Sequence, residues 1–382
     1  MEFNIETYLL SLPEDIQSLN IRNYNLTYLP SLSKFKKMEK LYCSGNNLIS
    51  LPPLNESLKV LECHNNRLTS LPDLNNKLEI LICSHNKLIS LPPLNESLKV
   101  LECHTNQLTY LPPLNENLKK LYCYNNKLTS LPVLNEKLEI LWCRSNELIS
   151  LPPLNKKLEV LNCLDNCLTS LPLLNENLEI LDCRGNYLTS LPYLNDKLEI
   201  IDCRHNKLTS FPPLNENLKV LECNDNQLTS LPQLNEKLET LNCSCNQLTS
   251  MPILNENLET LRCSHNKLTS FPPLNEKLET LSCSYNHLTS FPLLNAKLKL
   301  FNCENNPISE IINSEDIVII KKQIQKLKNF RDLYYSLKFK KQFRYLLWVK
   351  VREPKIIKKY HPSYLMENLH EDTDLDEILN NW

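Results

Sequence analysis

Cysteine stands at Cys43, Cys63, Cys83 and every twentieth residue on to Cys303, fourteen positions without a break, and only Cys167 and Cys245 fall off that interval. Asparagine keeps the same interval from Asn46 to Asn306, and a Leu-Pro pair, or its Phe or Met equivalent, runs with it from Leu51 to Phe291. A period of about 20 to 50 residues means stacked copies of one structural unit, a solenoid, and it outweighs every other signal in a chain. It also decides what 16 Cys in 382 residues mean, because disulfide scaffolds are short and secreted. Gly45 and Gly185 are the only glycines, so P-loop and dinucleotide-binding turns, which need several residues without a Cβ, are excluded. With so little glycine, the turns are expected to be made by Asn and Pro.

One unit, from Leu58 to Asn75, reads LKVLECHNNRLTSLPDLN. It resembles the leucine-rich repeat, LxxLxLxxNxL, with Cys63 in place of the third strand leucine, and its LPxLN stretch is similar to the short repeats of bacterial type III effectors. The resemblance covers residues 38–309 as fourteen units, and Ile16, Leu19, Ile21 and Leu26 make a degenerate fifteenth, with Tyr24 where the repeated Asn belongs. It implies an α/β-type leucine-rich repeat solenoid, a horseshoe with a parallel sheet on its concave face. The residues point the same way. Alternation over Val60–His64 gives a short strand with Leu61 and Cys63 inward and Val60, Glu62 and His64 outward. Twenty residues leave no room for a helical crossover, and Pro72, with φ fixed near −65° and no N–H, favours an extended, polyproline-like convex return. One such unit cannot bury enough apolar surface to fold alone, so the ends of the stack need caps.

Three parts follow: an N-terminal cap with the degenerate unit (1–37), the fourteen repeats (38–309), and a helical C-terminal region with an acidic tail (310–382). The Asn66 column is read as a buried amide ladder bonded to backbone where the chain leaves each strand. The Asn75 column is read as capping the convex turn through Asx turns. In-register parallel side chains point the same way and suit neither a disulfide dihedral nor a tetrahedral metal site. The cysteine ladder is therefore read as buried filler, which places the chain in a reducing compartment. No metal and no cofactor are expected, and Cys167 and Cys245 are read as inert thiols near the concave surface.

Function is sought where the repeats differ, at the outward strand positions. Tyr122, Tyr124, Trp142 and Arg144 sit on adjacent strands, and Leu164, Arg184, Tyr187 and Arg204 continue along the arc. Tyr, Trp and Arg dominate interface hot spots, so these eight residues are the candidate partner-binding site. The competing reading is cross-strand packing, with Asp182 and Asp202 pairing the arginines. An outward stripe of Val60, Ile80, Val100, Ile140 and their successors suits either strand propensity or a contact surface.

After Ile308 the period stops. From Ser314, read as an N-cap, apolar residues follow helical spacing to Val351, and Pro354 is expected to stop the helix. Residues 320–360 hold fourteen Lys/Arg against two acids, whereas residues 361–382 hold six acids and no Lys or Arg. The basic helix is read as a C-terminal helical cap, with nucleic-acid or anionic-membrane binding as the alternative. The last stretch, KKYHPSYLMENLHEDTDLDEILNNW, resembles tails on uncharacterised proteins of giant viruses related to mimivirus, and Thr373 with Asp376 reads as a capping box. That resemblance implies a viral protein acting on a host or virion partner.

The chain is thus expected to be a non-enzymatic, monomeric scaffold binding an unknown protein partner, cytoplasmic, without signal peptide or transmembrane segment. Effector-type ubiquitin ligases carry a catalytic cysteine after similar repeats, and no cysteine follows Cys303 here.

Overall fold

In the coil around Val60, Leu61 and Cys63 turn inward and lose all accessible surface, while Val60, Glu62 and His64 turn outward and stay half-buried. Repeated at the period, this alternation gives fifteen three-residue strands in the computed structural model, which describes residues 3–312, 314 and 316–361. They are β1 (Ser18–Asn20), β2 (Lys40–Tyr42), β3 (Val60–Glu62) and so on at every twentieth residue to β15 (Leu300–Asn302). All lie in one parallel sheet in chain order. The register never slips: Val60, Leu61 and Glu62 lie opposite Ile80, Leu81 and Ile82, and each later pair repeats this. The degenerate first unit is a true coil, with Leu19 opposite Leu41, which makes it two residues longer than the others. Between strands the chain is extended with a single turn and no helix, as the prolines require.

The exit from each strand differs from expectation. Beside the expected Asn, it uses one residue at positive φ just before the ladder Asn: Gly45 at 69°, Asn65 at 52°, His85 at 52°, Thr105 at 55°, Cys245 at 54° and Tyr285 at 53°, among others. The left-handed region costs an ordinary residue about 1–2 kcal/mol. Hydrogen bonds on both sides hold the chain there. The N–H of His85 donates to the His104 carbonyl at 3.0 Å, and the next N–H, of Asn86, donates to Thr105 at 3.2 Å.

The Asn66 amide behaves as its sequence position suggests. Its Nδ2 donates to the carbonyls of Cys43 and Cys63, both at 3.0 Å, and its Oδ1 accepts from the Leu48 N–H at 3.0 Å. The first coil has no such amide of its own, and Asn46 of the second serves it, accepting from Tyr24 and Leu26 N–H groups. The Asn75 column does more than predicted. Asn75 Oδ1 accepts from the Lys77 N–H at 2.8 Å, an Asx turn, but its Nδ2 also donates to the Asn55 carbonyl one coil back at 2.7 Å. The convex side thus carries a second ladder between coils.

The N-terminal end is closed by α1 (Ile5–Ser11), capped by Asn4, whose Oδ1 accepts from the Thr7 N–H. Ile5 and Leu9 are buried, Phe3 stacks on Tyr24 at 4.1 Å, and the Tyr28 hydroxyl donates to Glu6 at 3.1 Å. After β15 a 3₁₀ turn, Pro307–Glu310, buries Ile308, with Ile312 buried just beyond it.

The chain forms two compact units, Met1–Ile317 and Val318–Trp382. A C-terminal helix, α2 (Ile317–Lys338), follows the solenoid, then α3 (Lys340–Leu347), a π turn (Trp348–Arg352) and α4 (Glu353–Tyr360). One expectation changes here: Pro354 does not end the helical segment but sits in the first turn of α4. Ser314 Oγ accepts from the Asp316 N–H two residues on, the bond an N-cap side chain makes. The end of the chain, with the Thr373–Asp376 pair and most of the virus-like stretch, lies outside the described residues.

Candidate functional site

Strict register stacks the outward residues into columns, so those at one position on neighbouring strands lie side by side. Tyr122 on β6 (Lys120–Tyr122) and Trp142 on β7 (Ile140–Trp142) are register partners, and their rings meet edge to face at 5.2 Å and 90°. Tyr124 lies 6.3 Å from Trp142, and the Arg144 guanidinium lies 4.4 Å over the Tyr124 ring. Four of the eight expected residues are therefore one cluster.

The cluster runs on in a direction the sequence reading did not follow. His104 stacks on Tyr124 at 4.0 Å and 7°, and His85 meets His104 edge-on at 5.1 Å. His104 was on one of the outward columns but had no aromatic neighbour in its own unit. His85 sits at the positive-φ turn, a position whose side chain has no fixed direction in a strand pattern. Burial pushes the His104 imidazole down to about 4, with His85 and Arg144 adding in the same direction, so it is neutral at physiological pH. Beside the rings, Glu102 is register partner of Tyr122 and its carboxyl is raised, first by burial and then by Glu62. Burial also raises the Tyr122 hydroxyl, with Glu102 contributing.

The other four expected residues are not brought into this cluster. Leu164 is buried, 7% exposed, and offers little surface. Arg204 closes a bidentate pair on Asp202, with Nε and Nη2 at 2.9 and 2.6 Å from its carboxylate oxygens. Arg184 lies 3.5 Å from Asp202 and 3.7 Å from Asp182. Both arginines are thus engaged by local acids. Tyr187 sits beyond the ladder Asn, off the strand columns, with the Lys207 ammonium 4.7 Å over its ring. The outward Val/Ile stripe is half-buried, and Ile200 is its most open member at 36%.

Nucleophilic chemistry finds no support in the thiols. The ladder cysteines are buried, and burial raises Cys43 and Cys83 to about 12. Cys245 is exposed, but burial of its sulfur and the Asp225 carboxylate also raise it, the opposite of an activated thiolate. Stacked rings, one stacked guanidinium and an uncompensated carboxyl form a surface suited to contact.

No protein-family model matches the chain, and no curated protein matches it. Solved structures do. YopM, a leucine-rich effector protein from Yersinia pestis, is 36% identical over 76% of this chain and 84% of its own, with a TM-score of 0.69. YopM from Yersinia enterocolitica is 33% identical over 76% and 74%, at 0.65. The functional domain of InlJ from Listeria monocytogenes, which includes a cysteine ladder, is 29% identical over 72% and 69%, at 0.57. On its repeat, its sheet and this likeness, the chain belongs to the leucine-rich repeat proteins.

Proposed function

We propose that the chain is a non-catalytic recognition scaffold that holds a protein partner against the sheet face, at the ring cluster of Tyr122, Tyr124, Trp142 and Arg144 extended by His85 and His104. The observation that carries this is the run of rings from His85 through His104 and Tyr124 to Trp142, with the Arg144 guanidinium stacked over Tyr124. Large rigid rings give contact area at little entropic cost, and a stacked Arg keeps donors free for a partner's carboxylates or carbonyls. Arg184 and Arg204 serve as the flank of the site, orienting a partner through the paired charge of Asp182 and Asp202. A likeness to a leucine-rich effector protein fits the same reading. The sixteen unpaired thiols support a reducing compartment.

Capture from cell lysate by the intact chain, against Tyr122→Ala with Trp142→Ala, tests it. The double variant should lose at least tenfold in partner affinity while its Tm falls by only several degrees, since truncating two half-buried rings loses their buried area as well as about 0.5–1.5 kcal/mol of pairing. Unchanged capture with the same loss of Tm would make the rings mere cross-strand packing and end the proposal.

A further inference from the structure

The helical unit combines concentrated positive charge with exposed apolar side chains. Residues 320–360 hold fourteen Lys/Arg against two acids. The same helices expose Tyr345 at 71%, Ile357 at 59%, Leu346 at 53% and Trp348 at 48%. On α3, Lys341 and Arg344 follow one helical face three residues apart, and Leu346 lies to the other side. On α4, Lys355 and Lys358 share one face, with Ile356 and Ile357 opposite. Among the described residues no helix is long and apolar enough to cross a membrane.

We propose that α3, the π turn and α4 form a docking surface for an anionic lipid bilayer, lying in the plane of its head groups. The cations complement lipid phosphates, and the aliphatic side chains decide between polyanions. A nucleic-acid backbone offers nothing to Leu346, Ile356 or Ile357, whereas the acyl boundary of a bilayer takes all three. Trp348 and Tyr345 have an apolar body and a polar tip, the form that settles at the head-group level. Helices with apolar and cationic sides lie on a membrane instead of spanning it. This surface is independent of the ring cluster on the sheet.

Vesicle co-sedimentation of the full chain tests it, with phosphatidylcholine alone or with about a third phosphatidylserine. Binding should be at least tenfold tighter to the anionic vesicles and should weaken by a similar factor when salt rises from about 0.1 to 0.5 M. Two sets of variants separate the contributions: Lys341→Glu with Lys355→Glu and Lys358→Glu for charge, and Trp348→Ser with Ile357→Ser for apolar contact. Each should lose at least fivefold while keeping the solenoid's melting transition. The Tyr122→Ala with Trp142→Ala protein should bind vesicles as the parent does, so this inference and the sheet-face reading fail separately. Absent binding to anionic vesicles, equal binding to neutral ones, or tight binding to duplex DNA that survives the Ser substitutions would each overturn it.

Discussion

A side-chain amide has two donors and one oxygen with two lone pairs, and each ladder Asn spends them both within its own coil and on the coil before it. Asn146 shows which of its bonds matters. Its Nδ2 donates to the Cys123 and Cys143 carbonyls, but each of these also receives an amide from another rung, Asn126 and Asn166 respectively. Its Oδ1 is the acceptor for the buried Leu128 N–H at 3.0 Å, a donor with no alternative. Asn146→Ala should therefore cost about 1–3 kcal/mol, the cost of an unsatisfied buried N–H. Asn146→Asp should cost more, because it keeps the acceptor but turns a carboxylate toward carbonyl oxygens. Urea unfolding reads this as a lowered midpoint at constant m, and an Ala variant within about 0.5 kcal/mol of the parent would sink the assignment. The Asn66 column was legible in the sequence because a polar residue repeated inside an apolar pattern must be buried and paired. The inter-coil donation by Asn75 was not, since its acceptor, the Asn55 carbonyl, is a backbone group that every residue possesses. Nor was the positive-φ column, where Asn, His, Thr, Ser, Asp, Cys and Tyr all stand at one structural position.

At the scale of the strand, the alternation of inward and outward residues was fully legible, and with it the cysteine column. A three-residue strand offers two outward positions per coil with the turn residue close behind, so the ring cluster could be half read: Tyr122, Tyr124, Trp142 and Arg144 by column, His85 not at all. Charge pairing was legible too: Asp182 and Asp202 stand where the competing reading put them, beside Arg184 and Arg204. The cysteine column itself makes a sharp test. Fourteen of the sixteen thiols are buried, Cys167 is half-buried and Cys245 exposed. In the native state an aromatic disulfide reagent should label Cys245 first, Cys167 slowly and the column only on unfolding. Because Cys245 is held above the ordinary thiol range, its labelling rate should still be climbing as pH passes 9, when a free thiol's rate has begun to level. Native labelling of column thiols at the rate of Cys245 would mean that the coils open locally and that cysteine is not closed filler.

For the whole solenoid, the one-residue register and the unbroken period have a consequence that no single coil carries. Each coil meets only its two neighbours, so stability is a sum of coil and interface terms, and one coil can be taken out if the ends stay covered by α1 and by Ile308 and Ile312. Deleting residues 229–248 joins Leu228 to Thr249, removes one full period and leaves both ladders and the ring cluster continuous. That protein should unfold in one cooperative transition with Tm lowered by a few degrees and should keep its partner. Deleting only 229–238 joins Leu228 to Glu239 and leaves half a coil, which can bury neither its leucine nor its ladder Asn, so the single transition should be lost. Deleting residues 129–148 is also a full period and should fold like the first, but it removes Trp142 and Arg144 together. Thermal unfolding by circular dichroism and partner capture, measured on all three, then separate stacking from recognition. If the 129–148 deletion folds and still captures the partner as well as the 229–248 deletion does, recognition is spread along the sheet and the ring cluster is not its centre.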